Sequence, residues 1–302
     1  MDWENWLRVA AEPPSDNEDD KRQRTETQIR DALADYEGLQ GRPYIVYAKG
    51  SYANNTNVRL NYDVDIAVEY RGFFYFDLCF DFEDSGPTDV GITTPSKDPY
   101  TRTDFKRDIR AALVKAFGEN AIEDGTVAYR VREKKTTLPA DVVPCWEYRR
   151  YDHLVNGRPT YHEGARIYPT SGGYKNNFPK RQLTNGRDKN KRTGYRYKRM
   201  VRALKKLETR LVADGKLAAE LPSYLTECLV YNVSDVVFGH TAFKADMREV
   251  LAQIFNATLA TGNSDDWEHV HGLLYLFRGS TEWTTQDVHA MADAAWDELG
   301  FE

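Results

Sequence analysis

Two carboxylates, Asp63 and Asp65, stand two positions apart in the apolar stretch "YDVDIAVEY". Twelve positions before the first of them, Gly50-Ser51 closes another apolar run, "RPYIVYAKGS". Side chains alternate along a strand, so both carboxylates would project to one side while Val64, Ile66 and Val68 enter a core. Like charges held that close raise each other's pKa, and a divalent cation between them relieves the repulsion. Two carboxylates completed by phosphate oxygens suit Mg²⁺, which keeps several waters and seldom takes an all-protein cage. A two-metal centre, with ions about 3.5–4 Å apart, calls for a further carboxylate on the attacking side. Asp141 in "LPADVVPC" is the candidate, because a charge on so short an apolar strand has no packing role; a strand-end aspartate turned to solvent is the other reading. Gly50 lets the backbone come close to a ligand, and the Ser51 hydroxyl and N–H are suited to a phosphate oxygen.

The elements that must position these groups are legible in outline. "PPSDNEDDKRQRTETQIRDALADYEG" predicts a helix with a Ser15/Glu18 capping box and an apolar stripe of Ile29, Leu33 and Tyr36. The two apolar runs predict strands, the second followed by a long Gly-, Pro- and Asp-rich loop, "FEDSGPTDVGITTPSKDPYT". "RTDFKRDIRAALVKAFG" places Phe105, Ile109, Leu113 and Phe117 at helical spacing, and "TVAYRVREKKTTLPADVVPCWEY" reads as a hairpin turning near "EKK". From Tyr151 to Asn190 the composition predicts loops. Beyond it "TGYRYKRMVRALKKLETRLVADG", "PSYLTECLVYNVS", "KADMREVLAQIFNATLAT", "DDWEHVHGLLYLF" and "TTQDVHAMADAAWDEL" all read as helices. The expectation is an α+β chain: a small mixed sheet flanked by helices over residues 1–160, which include the N-terminal helix, then an all-helical domain over 161–302.

Composition narrows the function classes. Of 302 residues, 41% are hydrophobic and 29% charged, an ordinary globular balance. No run of roughly 18 apolar residues could span a bilayer, and the acidic N-terminus lacks a secretory pattern, so a cytoplasmic protein that uses no membrane is expected. Cys79, Cys145 and Cys228 are scattered, which argues for free thiols, and His269 and His271 lack companions at metal-ligand spacing. Between Lys175 and Lys206 there are thirteen Lys/Arg and one acid, Asp188, so this segment carries +12 and the rest of the −6 chain carries −18. That concentration suggests a localised anion site; a solvated helix face is the other reading. On the helix after Gly194, Lys198, Arg202 and Lys205 form one cationic stripe beside Val201, Leu204 and Leu211. Such a stripe would neutralise a triphosphate.

A strand, a Gly-Ser turn, an Asp-x-Asp strand and a third acid on a later strand resemble the polymerase-β-like nucleotidyltransferase fold, shared by poly(A) polymerases, oligoadenylate synthases and cyclic GMP–AMP synthase. Gly50, Ser51, Asp63, Asp65 and Asp141 match that pattern without departure. "NNFPKRQLTNGRDKNKRTGYRYKRMVRALKKLE" and "LPSYLTECLVYNVSD" resemble the bacterial cyclic-oligonucleotide synthases related to cyclic GMP–AMP synthase, nearest the clade lettered E, which includes uridine-using enzymes. The resemblance implies a nucleotidyltransferase that joins two nucleoside triphosphates, UTP and/or ATP, and closes them into a cyclic dinucleotide. Asp63, Asp65 and Asp141 would hold two Mg²⁺, with Mn²⁺ able to substitute. Ser51, Lys198, Arg202 and Lys205 would take the donor triphosphate. Ser223 would meet a phosphate and Tyr224 stack on the base, although a core tyrosine is the other reading of Tyr224. Asn177 offers a donor and an acceptor to a base edge. The product would act as a messenger on a separate effector protein in anti-phage signalling, with no nucleic acid required. Three other readings share parts of this pattern: a linear nucleotidyltransferase acting on an RNA, protein or small-molecule acceptor, a catalytically silent binding module, and a nucleic-acid binder using the basic segment.

Overall fold

The computed structural model describes residues 1–58, 63–94, 98–279 and 283–302. The chain divides into two compact units, one of Asp16–Gly50 and Tyr62–Lys180, the other of Met1–Ser15, Ser51–Asn61 and Arg181–Glu302. Helix α1 (Trp3–Ala10), capped by the Asp2 carboxylate on the Asn5 amide at 3.0 Å, belongs to the second unit rather than to the sheet-bearing one.

The first unit begins with α2 (Asp16–Ala34), whose first turn carries Asp16, Glu18 and Asp19, where the helix dipole favours negative charge. Strand β1 (Tyr44–Ala48) leads into a single turn, α3 (Gly50–Ala53), and then β2 (Val64–Leu78). Helix α4 (Arg102–Phe117) starts at a Thr101/Asp104 capping box. The short strands β3 (Ile122–Asp124) and β4 (Tyr129–Val131) precede the long β5 (Ala140–Val155), then β6 (Arg158–Ile167) and β7 (Lys175–Asn177). Neighbours run β1-β2-β5-β4-β3, with β6 on the later part of β5 and β7 on β6. Strands β2 and β5 are parallel and every other pair is antiparallel.

One face of this sheet is apolar. Val64, Ile66, Val68 and Tyr70 on β2 share it with Val142 and Trp146 on β5, and Phe105 of α4 packs edge-on against Trp146 at 5.8 Å and tilted against Tyr70 at 5.1 Å. The other face therefore carries Asp65 and Asp141. Of the expected loop from Tyr151 to Asn190, Tyr168–Tyr174 is loop and most of the rest is strand or helix. Strand β5 continues to Val155 and turns back through Asn156 (φ 52°) and Gly157 (φ 72°), the backbone of a tight hairpin turn, into β6.

Beyond the sheet come α5 (Pro179–Arg192), α6 (Tyr197–Ala213), α7 (Ser223–Asn232), α8 (Phe243–Ala257) and α9 (Thr285–Glu298). The sheet runs through Asn177, so the helical unit resumes at Arg181 rather than near residue 161. Val201, Leu204 and Leu211 are fully buried, as their spacing predicts, in a cluster with Leu7, Leu251 and Met291. The stretch from Asp265 to Phe277 is not the expected helix. After a 3-10 turn at Ser264–Asp266, left-handed Gly272 (φ 66°) reverses the chain, and His269 N–H donates to the Leu274 carbonyl at 2.9 Å. Among the described residues no helix is long and apolar enough to cross a membrane. Cys145 and Cys228 are buried free thiols and Cys79 is half-buried.

Candidate active site

Parallel pairing of β2 and β5 places Asp65 directly beside Asp141. Asp63 lies just before β2 and accepts from Arg130 Nη2 at 2.8 Å, and Arg130 is paired with Asp141 across β4 and β5. Burial, opposed by the Lys49 ammonium and reinforced by the charges of Asp141 and Asp63, raises the Asp65 carboxyl above its usual range. Burial and the Asp63 charge raise Asp141, against the pull of Arg130 and Lys49. Asp141 and Asp63 thus oppose the ionisation of Asp65, and Asp63 opposes that of Asp141, in a half-buried cluster. Among the described residues no three carboxylate, imidazole or thiolate groups converge closely enough to hold a metal ion by themselves. Two neighbouring carboxylates that need a counter-charge do fit a Mg²⁺ completed by water and substrate phosphate.

Gly50 fixes the approach to this cluster. Its φ is +69°, and a Cβ built there would lie 2.0 Å from Asp65 Oδ2, so any side chain would collide with the carboxylate. The preceding amide, Lys49 N–H, donates to the Asp65 carbonyl at 2.9 Å. The close approach expected of Gly50 toward a ligand is, in the structure, an approach to Asp65.

Asn177 shares a sheet face with these acids. Asp141 and Glu147 lie on one face of β5, Glu147 pairs with Ala165, and Ala165 pairs with Asn177. The Asn177 side chain is exposed, whereas its neighbour Asn176 accepts from Arg166 Nε at 2.8 Å.

In the helical unit, Ser51 is the second residue of α3 and its carbonyl accepts the Thr56 N–H at 2.9 Å. The three cations of the α6 stripe differ. Arg202 Nε donates to the Ala11 carbonyl at 2.9 Å and Nη1 to the Asn55 carbonyl at 2.5 Å, and Lys205 Nζ donates to the Thr56 carbonyl at 3.0 Å. Burial pushes Arg202 down to about 10 and lowers Lys205. Lys198 Nζ makes no hydrogen bond among the described residues, and burial lowers its pKa while Glu227 opposes. Ser223 is exposed at the first position of α7. The Tyr224 ring packs against His269 at 5.7 Å and Trp283 at 6.2 Å, within the helical unit's own aromatic cluster. His269 and His271 stack at 4.9 Å, and burial pushes His269 down to about 4, which leaves it neutral at pH 7.

Sequence reasoning missed three contributors. Lys49 adjoins the Gly-Ser turn and was within reach, as the cation beside the first strand's end. Arg130 could be placed only with the β4–β5 register known. Glu227, 2% exposed on α7, accepts from Thr56 Oγ1 at 2.7 Å and from Gln182 Nε2 at 3.0 Å, and nothing near it in sequence marks that role.

The chain is similar to proteins of known name. The family described as the cGAS/DncV-like nucleotidyltransferase C-terminal helical domain matches residues 184–300. The cyclic dipyrimidine nucleotide synthase CdnE of Cecembia lonarensis is 35% identical over 300 residues, 99% of this chain and 98% of that protein. The cyclic dipurine nucleotide synthase of Elizabethkingia meningoseptica is 33% identical, over 99% of this chain and 97% of that protein. Among solved structures, the CdnE c-UMP-AMP synthase of Rhodothermus marinus with Apcpp and Upnpp superposes with a TM-score of 0.82 at 29% identity, covering 99% and 98% of the two chains.

Proposed function

We propose a reaction and its substrates from one premise: the chain belongs to the cGAS/DncV-like nucleotidyltransferases and, within them, to the CdnE cyclic dinucleotide synthases. It joins two nucleoside triphosphates and closes the linear intermediate into a cyclic dinucleotide. The observation that carries this reading is the pairing of Asp65 with Asp141 on adjacent parallel strands, with Gly50 packed against the Asp65 carboxylate.

In this reading Asp141, whose carboxyl is held above its usual range, receives the proton of the attacking ribose hydroxyl. Ser51 and Lys198 hold the donor phosphates, and Lys198 brings a half-desolvated ammonium to the charge that gathers on the leaving pyrophosphate. Nucleotidyltransferases of this family use divalent metals; Asp65, Asp141 and Asp63 would hold two Mg²⁺, or Mn²⁺ in their place, which neutralise phosphate charge. No covalent enzyme intermediate is needed, because positioning and charge neutralisation carry the transfer. Ser223 contributes a hydroxyl to phosphate. Asn177, exposed on the acids' own sheet face, reads a base edge. The relatives' names span dipyrimidine, dipurine and UMP-AMP products. The 35% identity to a dipyrimidine synthase over 99% of the chain, beside 33% to a dipurine synthase, is the support for a uridine-containing product here, made from UTP with UTP or ATP. The product serves as a messenger to a separate effector in anti-phage defence, and no nucleic acid is needed to start the reaction.

Asp65→Asn tests the site through two readouts. Turnover of nucleoside triphosphates falls by more than about a hundredfold. Stability moves the other way: the raised Asp65 carboxyl favours the fold in acid, and that contribution is lost as pH rises through its folded pKa. The variant's melting temperature therefore exceeds wild type in neutral buffer, and the difference closes in acid. Retention of nucleotide joining by Asp65→Asn would overturn the reading.

A further inference from the structure

Residues 54–57 follow Ser51 within the helical unit, and three of them, Asn54, Thr56 and Asn57, are at most 4% exposed although all are polar. Asn55 N–H to the Tyr52 carbonyl at 3.1 Å and Thr56 N–H to the Ser51 carbonyl at 2.9 Å give the loop only a slight local hold. Helix α3 is four residues long, too short to be stable alone, and Asn55 turns the chain in the left-handed region at φ 52°, a conformation asparagine tolerates. Helices α6 and α7 supply the rest of the hold. Arg202 binds the Asn55 carbonyl and Lys205 the Thr56 carbonyl, while the Thr56 hydroxyl donates to Glu227. Thr56 N–H closes the loop on the Ser51 carbonyl. Arg202 and Lys205 are 4% and 6% exposed, and their donors point at the protein's own carbonyls.

We propose that Arg202, Lys205 and Glu227 are positioning residues: they strap the loop after Gly50 to the helical unit and thereby fix Ser51, rather than touching the triphosphate themselves. This rests on the reading of Ser51 as a donor-phosphate ligand. Glu227 supplies a counter-charge to buried Lys205 and to the neighbouring Lys198, both of which feel its field. The division of labour along α6 follows: Lys198 faces substrate, and one and two turns further on the same stripe holds the loop.

A double-mutant cycle on the full-length protein tests this. Thr56→Val keeps the branched shape, removes only the hydroxyl and leaves Glu227 its bond from Gln182. Through the loss of one charged-acceptor hydrogen bond, it should raise KM for the nucleoside triphosphate by about tenfold with a smaller change in kcat. Thr56→Ser, which retains the hydroxyl, should restore KM. Ser51→Ala should lose about tenfold or more, and the Ser51→Ala/Thr56→Val double variant should be no worse than Ser51→Ala, because the strap acts through Ser51. Losses that multiply would overturn the strap and leave the phosphate reading standing. Wild-type KM in Ser51→Ala would overturn the phosphate reading of Ser51 and the strap with it. Should Thr56→Val not fold, Lys205→Met, which keeps the buried alkyl stem, replaces it in the same cycle and is read the same way.

Discussion

Gly50 and Asp65 work as a pair, and the pair sets how much error the site tolerates. The glycine's left-handed backbone and the 2.0 Å from its missing Cβ to the Asp65 carboxylate leave no room for even a methyl group. Gly50→Ala must therefore either displace the carboxylate or distort the β1–α3 turn. Shifts of about an ångström at a reacting group cost on the order of a hundredfold in rate, so kcat in single-turnover assays should fall by about that factor. Near-wild-type turnover in Gly50→Ala would show that Asp65 is not held where the reaction needs it. At this scale the sequence marks the candidate acids and leaves the role of the α6 cations open. Asp63, Asp65 and Asp141 announce themselves because a charge within an apolar strand has no packing reason to be there. Arg202 and Lys205 did not, because their partners are carbonyls 147 and 149 positions away, and a cationic stripe reads the same whether it meets phosphate or backbone.

The elements follow local rules wherever those rules act alone. Helix α4 begins at its capping box and buries Phe105, Ile109 and Leu113, and α6 buries the stripe that its spacing marks. The misreadings have physical causes. Asn156-Gly157 is a hairpin turn sequence, but the polar strands around it lack clean alternation, so β6 and β7 read as loop. The segment from Asp265 to Phe277 has helical spacing, which Gly272 overrides. Helix α5 is polar along its length and hides among turn-forming residues. Buried Glu208 on α6 gives a test at this scale. It is 1% exposed, accepts from Thr226 Oγ1 at 2.9 Å, and burial pushes it up to about 8. Its folded pKa exceeds that of the unfolded chain, so the stability it lends in acid is lost progressively as pH climbs from 4.5 through about 8. Glu208→Gln keeps the acceptor without the charge. It should melt on the order of several degrees higher than wild type near pH 8, with the gap closing toward pH 5. A gap independent of pH would show that Glu208 is not the titrating group.

Across the whole molecule, charge is placed rather than spread. The segment from Lys175 to Lys206 carries +12 in a chain of net −6, yet much of it is engaged internally. Lys189 and Arg192 both bind Asp235, Arg196 faces Asp246, and Arg202 and Lys205 hold the loop after Ser51. Lys175, Lys180, Arg187, Lys191, Arg192 and Arg199 stay exposed, so the segment divides between internal bonds and a solvated face. The central claim is that this chain joins two nucleotides and closes the ring without a template or acceptor. The direct measurement is to incubate the purified protein with all four ribonucleoside triphosphates and Mg²⁺, treat with phosphatase, and weigh what survives. The account predicts a phosphatase-resistant species with the mass of two nucleotides joined without terminal phosphates, uridine among them. Linear products alone, or no joined nucleotide at all, would contradict it.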